Sequence, residues 1–355
     1  MSLPGVRARY RALLRAALGS GPSVRADWLA WLSRVHIGRL DMGSTRLPLL
    51  ASFNVKANGV SDEEVPPRIA GLIRHNWART QSLLHAARQA LEGLVQAGVE
   101  VMLIKGAAFL VQGYGGDARL RPLADVDLLV RPQRMAEAES VLRGSGWERG
   151  APELDGARCF VRAGALRLCL HAQALMESAG RGRPEDEWAD SCATEFPGGG
   201  PRVLVPGATS LLLHGCVYGL FPPLPAPIRW IADTVQLLRR RRAEVDCSAF
   251  VRDAERIGVR PHVREALAAL APFVPVPPPP AAGTLAERTE YWICSRFQRL
   301  SGPVPRWWFH ARRQRMPFLR HLAGVFGLAH TSELPGLRLL RAAHRWPRVL
   351  GIRFD

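Results

Sequence analysis

The sequence predicts an α+β fold: a small mixed sheet flanked by helices, with helical regions on either side. Two observations carry this. Apolar residues recur at helical spacing before about residue 98 and after about residue 205, whereas short apolar runs punctuated by glycine fill the stretch between them. Those short runs do not alternate regularly with long helices, as a doubly wound parallel sheet requires.

Along the chain, helices are expected over 6–18 and 24–38, followed by a polar, glycine-containing segment to about residue 60. A stronger helix spans 67–97, where Ile69, Leu72, Ile73, Trp77, Leu84, Leu91, Leu94 and Val95 mark one face and Gly98 stops it. VEVMLIKG reads as a buried strand ending at Lys105-Gly106, AAFLVQGY as a short helix closed by Gly115-Gly116, and 124–130 as the next strand. A helix follows in PQRMAEAESVLRGSGW, then two strands near 158–163 and 165–171 turning at Ala163-Gly164. After a loop containing Gly198, Gly199 and Gly200, helices are expected at ATSLLLHGCVYGLF, at PIRWIADTVQLLRRRR, and over 247–258 and 260–271. The organisation is therefore an N-terminal helical region (1–97), an αβ core (98–200) and a helical domain (201–271). A proline-rich linker (272–283) and a basic, aromatic tail (284–355) complete it.

At 47% apolar and 22% charged, the composition is that of a globular protein. No apolar run approaches the ~18 residues of a spanning helix, and arginines interrupt the N-terminus too often for a secretory leader. The expected location is the cytoplasm. The net charge is +17, and Lys56 and Lys105 are the only lysines, so arginine is the default cation and Lys105 stands out. Six scattered cysteines without a CxxC spacing suggest neither a zinc site nor a disulfide framework, but small buried residues in a reducing compartment.

The stretch RPLADVDLLVRP raises the central question. On a strand, Asp125, Asp127 and Leu129 share one face, and Val126, Leu128 and Val130 the other. Two partly desolvated carboxylates about 5–7 Å apart repel by roughly 2–3 kcal/mol at an effective dielectric near 20. A divalent cation between them, such as Mg²⁺ with phosphate oxygens completing its shell, offsets that cost. The alternative is a strand end at which one aspartate caps a loop and the other pairs with Arg119, Arg121 or Arg131.

The wider run, Lys105-Gly106 closing a strand, Arg121-Pro122 before Asp125-Val126-Asp127, then a helix ending at Gly146, resembles the uncharacterised nucleotidyltransferase family of the DNA polymerase beta-like superfamily. The resemblance covers about 67–270. It implies that Asp125 and Asp127 hold Mg²⁺ (or Mn²⁺) on a nucleoside triphosphate. Lys105, Gly106, Arg119 and Arg121 would lie near its phosphates, and transfer would proceed by in-line displacement at the α-phosphate. The acceptor, whether small molecule, peptide, protein or RNA, is not implied.

The match departs from the pattern at one place. The family places an acid two residues before a histidine on a neighbouring strand, and in LRLCLH the histidine is His171 but the acid position holds Cys169. A neutral thiol is a poor ligand for a hard metal. Three explanations stay open: His171 takes over as base or ligand, Glu177 or Asp155 fills the gap, or the protein binds nucleotide without transferring it. Cys169 is otherwise a packing residue. His214 and Asp233, within apolar helices, either bond across the helix pair or to backbone, or contact a nucleotide or acceptor in the cleft between the two domains. From Arg288 onward, 13 arginines against Glu290, Glu333 and Asp355 give a net +10. That tail is expected to cover the domain as a helical layer, or to dock on an anionic membrane surface, a protein partner or nucleic acid.

Overall fold

In a computed structural model of the chain, residues 8–35, 46–150, 157–162, 166–175, 184–218 and 228–285, with 287, 288 and 291, are described. The acids Asp155 and Glu177, and nearly all of the basic tail, lie outside them. Among the described residues no helix is long and apolar enough to cross a membrane.

Three helices, α1 (Ala8–Leu18), α2 (Ser23–Leu32) and α3 (Leu47–Ala57), pack together around Leu13, Leu14, Trp28, Leu47, Leu50 and Val55. The third replaces the polar segment expected before residue 60. Pro48 suits the first turn of a helix, and Leu47, Leu49, Leu50 and Val55 are buried; the polar reading came from the flanking glycines and asparagines. The second helix ends at Leu32, six residues earlier than expected. Helix α4 (Pro67–Gln96) buries Ile69, Leu84, Leu91 and Leu94 of the face predicted for it but leaves Trp77 and Val95 exposed, with Thr80, Leu83 and alanines filling the buried side. It stops at Gly98, whose φ of +69° is the left-handed geometry that glycine adopts freely.

A seven-stranded mixed sheet forms the centre, in the order β3-β4-β5-β2-β1-β7-β6. Its strands are β1 (Val101–Ile104), β2 (Val126–Val130), β3 (Glu148–Arg149), β4 (Arg158–Arg162), β5 (Leu166–His171), β6 (Cys192–Glu195) and β7 (Arg202–Val205). Strand β2 runs antiparallel to β1 and parallel to β5. The short outer strands β3 and β6 are largely exposed and lack a period-2 apolar signal, which is why their sequences do not announce them. Strand β7 joins β1 in parallel at Met102 and Leu204, so the sheet extends to Val205, past the Gly198–Gly199 turn.

The two faces of the sheet differ. Val101, Leu103, Val126, Leu128, Val130, Phe160, Leu168 and Leu170 enter the main core with the helices. Met102, Ile104 and Leu129 form a small separate cluster with Trp188 of α7 (Pro184–Ala189). Helices α5 (Lys105–Tyr114), α6 (Met135–Gly144), α8 (Ala208–Tyr218), α9 (Arg229–Arg241), α10 (Cys247–Arg256) and α11 (Arg260–Leu270) complete the fold. Residues 272–283 are strapped to α11 rather than held clear of it: Arg264 Nη1 donates to the Pro280 carbonyl at 2.7 Å, and Arg260 grips Glu287.

Cysteine is the one residue type whose expected state is overturned. Cys159 and Cys169 face each other directly across β4 and β5 and form a disulfide. Ten residues of separation across a tight hairpin bring them together, a proximity invisible in a scan for CxxC. Cys192 and Cys247 are exposed free thiols, and Cys216 is buried.

Candidate active site

The site grows from the junction of β1 and α5. Strand β1 ends at Ile104, and Lys105 turns the chain into the helix with φ of +49°, alone among the described non-glycine residues in having a positive value. Such strain costs roughly 1 kcal/mol or more and persists where surrounding contacts impose it. Here it carries the Lys105 ammonium to 3.4 Å from Asp127 Oδ1 and 3.3 Å from His171 Nε2.

Register does the rest. Ile104, Asp127, Cys169 and Cys159 are paired in one row across β1, β2, β5 and β4, so they share a face. His171 lies two residues beyond Cys169 on that face, opposite Leu129. Its Nε2 is 2.7 Å from Asp127 Oδ1, and both side chains are buried. Burial alone would disfavour ionised Asp127. The charge of Lys105 and the hydrogen bond with His171 outweigh it, and the carboxyl is held well below the usual carboxylate range.

Asp125, just ahead of β2, behaves in the opposite way. Burial and the negative charge of Asp127 raise it, and Lys105, Arg167 and Arg46 offset only part of that. The loop leading into it is pinned by α4, whose Thr80 hydroxyl accepts from the Leu123 N–H at 3.0 Å. One carboxyl of the pair therefore stays firmly ionised while its neighbour holds its proton more tightly, the signature of a like-charge pair in a partly dry site.

The remaining sequence-derived candidates fall into three places. His214 on α8 lies within electrostatic reach of Lys105, Asp127 and His171; burial and then the Lys105 charge lower it to about 3. Its Nε2 is buried without a hydrogen-bond partner, and its ring stacks on Tyr218 at 5.8 Å. Arg121 and Asp233 form a buried ion pair beneath the site, which Tyr114 joins by donating its hydroxyl to Asp233 Oδ1. Gly106 sits against that pair: a Cβ there would stand 3.1 Å from Arg121 Nη1. Arg119 is set apart at the surface, where it pairs with Asp117 and lies over Phe53.

Four further groups escaped the sequence reading. Arg46, Arg79 and Arg229 lie close enough to interact electrostatically with one another or with Arg121 and Asp125, and Tyr218, half its surface exposed, has its phenol within reach of Lys105, Asp125 and Asp127. In a chain where arginine is the default cation, Arg46 and Arg79 carry no sequence signal. Tyr218 and Arg229 do, since each stands four residues from a singled-out neighbour, His214 and Asp233, on the same helical face.

Asp127 on β2, with Asp125 just ahead of it, thus stands beside a Lys-Gly helix start at the centre of a small mixed sheet. Residues 46–275 match the model of the uncharacterised nucleotidyltransferase family, and the chain belongs to that family. No curated protein and no solved structure matches the chain. The family gives the reaction class, nucleotidyl transfer, and leaves donor, metal and acceptor open.

Proposed function

We propose that the chain transfers a nucleotidyl group from a metal-bound nucleoside triphosphate to an acceptor hydroxyl. The observation that carries this reading is the buried Asp127 carboxylate, ionised and held between Lys105 and His171, with Asp125 within electrostatic reach of it.

The residues suit a hard divalent cation in part. Among the described residues no three His, Cys, Asp or Glu side chains are arranged to hold a metal. Asp125 and Asp127 nevertheless offer carboxylate oxygens whose mutual repulsion a cation relieves, and Mg²⁺ commonly takes one or two protein carboxylates plus phosphate and water oxygens. Asp125 and Asp127 would hold Mg²⁺ or Mn²⁺, which supplies Lewis-acid charge at the phosphate oxygens.

The chain's own groups account for the rest. Lys105, next to the N-terminus of α5, adds positive charge where the phosphates lie. The acceptor oxygen forms its bond to the α-phosphorus as the bond to the β-phosphate oxygen breaks, and pyrophosphate leaves. His171 takes the acceptor's proton in place of the absent acid. The buried Arg121–Asp233 pair sets the loop that precedes Asp125, a positioning role. His214 and Tyr218 close the side of the site formed by α8.

The Cys159–Cys169 disulfide favours a second reading, a nucleotide-binding or interaction module that no longer transfers, since it stands where the family places its acid. One experiment addresses both. Thermal stability is measured with each nucleoside triphosphate, with and without Mg²⁺ or Mn²⁺, for wild type and Asp125→Asn/Asp127→Asn. Binding at a hundredfold excess over Kd raises stability by about 2.7 kcal/mol. A metal-dependent shift lost in the double variant supports the site; pyrophosphate release with a labelled acceptor then separates transfer from binding. No shift with any nucleotide defeats both nucleotide readings.

A further inference from the structure

We infer that Arg46, Arg229 and the Nη1 of Arg121 form a polyphosphate-binding wall, which takes the pyrophosphate end of the donor. The inference deepens the proposed function and rests on it for the word donor, but the wall itself is argued from its own residues.

Arg121 gives two of its three nitrogens to Asp233. Its third, Nη1, is fully buried and has no hydrogen-bond partner, and it points across Gly106 at the first turn of α5. A buried guanidinium N–H left unmatched is costly, and an anionic oxygen is its natural partner. The same helix start presents backbone N–H groups that the helix itself leaves unmet.

Around this point the chain gathers more positive charge than its carboxylates answer. Arg229 on α9 reaches the Pro122 carbonyl at 3.4 Å and stands 3.8 Å from the same Asp233 that Arg121 already occupies. Arg46, immediately before α3, is half-buried and makes no hydrogen bond or ion pair among the described residues, although it feels the charges of Asp125, Arg121 and Arg79. Burial, then Arg121, lowers Arg229 to about 10, which leaves it cationic at neutral pH. Arg121 and Arg229 thus share one carboxylate, Asp233, while Arg46 feels the charge of Asp125. Cations crowded in this way are stabilised by a ligand with several negative charges. A planar guanidinium matches phosphate oxygens in pairs, and three such groups suit a di- or triphosphate better than a single carboxylate.

The wall also explains a feature of the fold. Arg46 comes from the N-terminal helices, Arg121 from the loop before β2 and Arg229 from α9, three segments that meet only in the folded chain.

The test uses the full chain and inorganic tripolyphosphate, followed by calorimetry in EDTA at fixed ionic strength with sulfate as control. Wild type is expected to bind tripolyphosphate without metal and more tightly than sulfate. Arg46→Gln should weaken binding at least tenfold, and Arg46→Lys should recover part of the loss. Circular dichroism and unfolding of Arg46→Gln establish that the variant is folded. The wall is overturned if wild type does not prefer tripolyphosphate over sulfate, or if Arg46→Gln binds it as wild type does. Its failure is distinct from that of the transferase reading. Arg46-dependent tripolyphosphate binding without any metal-dependent nucleotide shift would leave the wall and remove the transferase. A nucleotide shift untouched by Arg46→Gln would do the reverse.

Discussion

Arg121 grips Asp233 in a two-point fork, with Nε donating to Oδ1 at 3.0 Å and Nη2 to Oδ2 at 2.7 Å, and both side chains are almost wholly buried. The fork ties α9 to the loop that delivers Asp125. Removing one partner of a buried pair leaves an uncompensated charge and typically costs about 3–5 kcal/mol. Asp233→Asn should therefore lower unfolding free energy by about that amount in urea titrations. Replacing both partners by apolar residues, Arg121→Met/Asp233→Leu, should cost clearly less. Equal losses in the single and double variants would show that the pair contributes little beyond its volume.

Gly106 and Gly71 make a matched pair of tests. Both lie in helices, where alanine is better than glycine by roughly 0.5–1 kcal/mol. A Cβ at Gly71 meets nothing within 4 Å, so Gly71→Ala should stabilise by about that amount. At Gly106 the Cβ comes within 3.1 Å of Arg121 Nη1 and 3.4 Å of Leu123 Cδ2, and the fork to Asp233 keeps the guanidinium from yielding. Gly106→Ala should destabilise by about 1 kcal/mol despite its better helix propensity. Thermal unfolding of the two variants side by side reads the difference.

The disulfide predicts a thiol count. Alkylation of the unfolded, unreduced chain should label Cys192, Cys216 and Cys247, and peptide mapping should find Cys159 and Cys169 unlabelled. For a loop of this length the cross-link contributes about 2–3 kcal/mol by restricting the unfolded chain. Reduction, or Cys159→Ser, should lower stability by that order. Labelling of Cys159 and Cys169 in the unreduced chain would contradict the bond.

Much of the site was legible because strand alternation is a local rule. The assignment of Asp127 and Leu129 to one face, and of Val126, Leu128 and Val130 to the other, follows from period two, and the sheet divides them that way. The strain at Lys105 was not legible: it depends on how β1 meets α5, while the sequence shows only that a lone lysine precedes a glycine. Nor could the fate of Arg121 be read. Its partner stands 112 residues away, and nothing local in the sequence singles out Arg121 among the chain's arginines as the one that meets Asp233. Helix α3 and strand β6 were missed for opposite reasons, the first because its flanks are polar, the second because both its faces are exposed.

His214 makes the stability of the chain pH-dependent in a defined direction. Burial and the Lys105 charge lower it to about 3 in the folded protein, against about 6.5 in an unfolded chain. Between those values the unfolded state binds a proton that the native state refuses, so stability is full above about pH 6.5 and falls as the pH drops. From pH 7 to pH 5 this one group should remove about 2 kcal/mol, at roughly 1.4 kcal/mol per pH unit once the unfolded histidine is charged. His214→Phe keeps an aromatic ring beside Tyr218 and Phe109 and abolishes the titration. The acidic slope of unfolding free energy, measured by urea titration at half-unit intervals, should be shallower in the variant by that amount. Asp127, ionised far below this range, does not titrate there, and any titration of Asp125, which burial and the Asp127 charge raise, is common to variant and wild type. Parallel slopes for variant and wild type would mean that His214 is protonated in the folded protein, and a buried partner for its Nε2 would then have to be found.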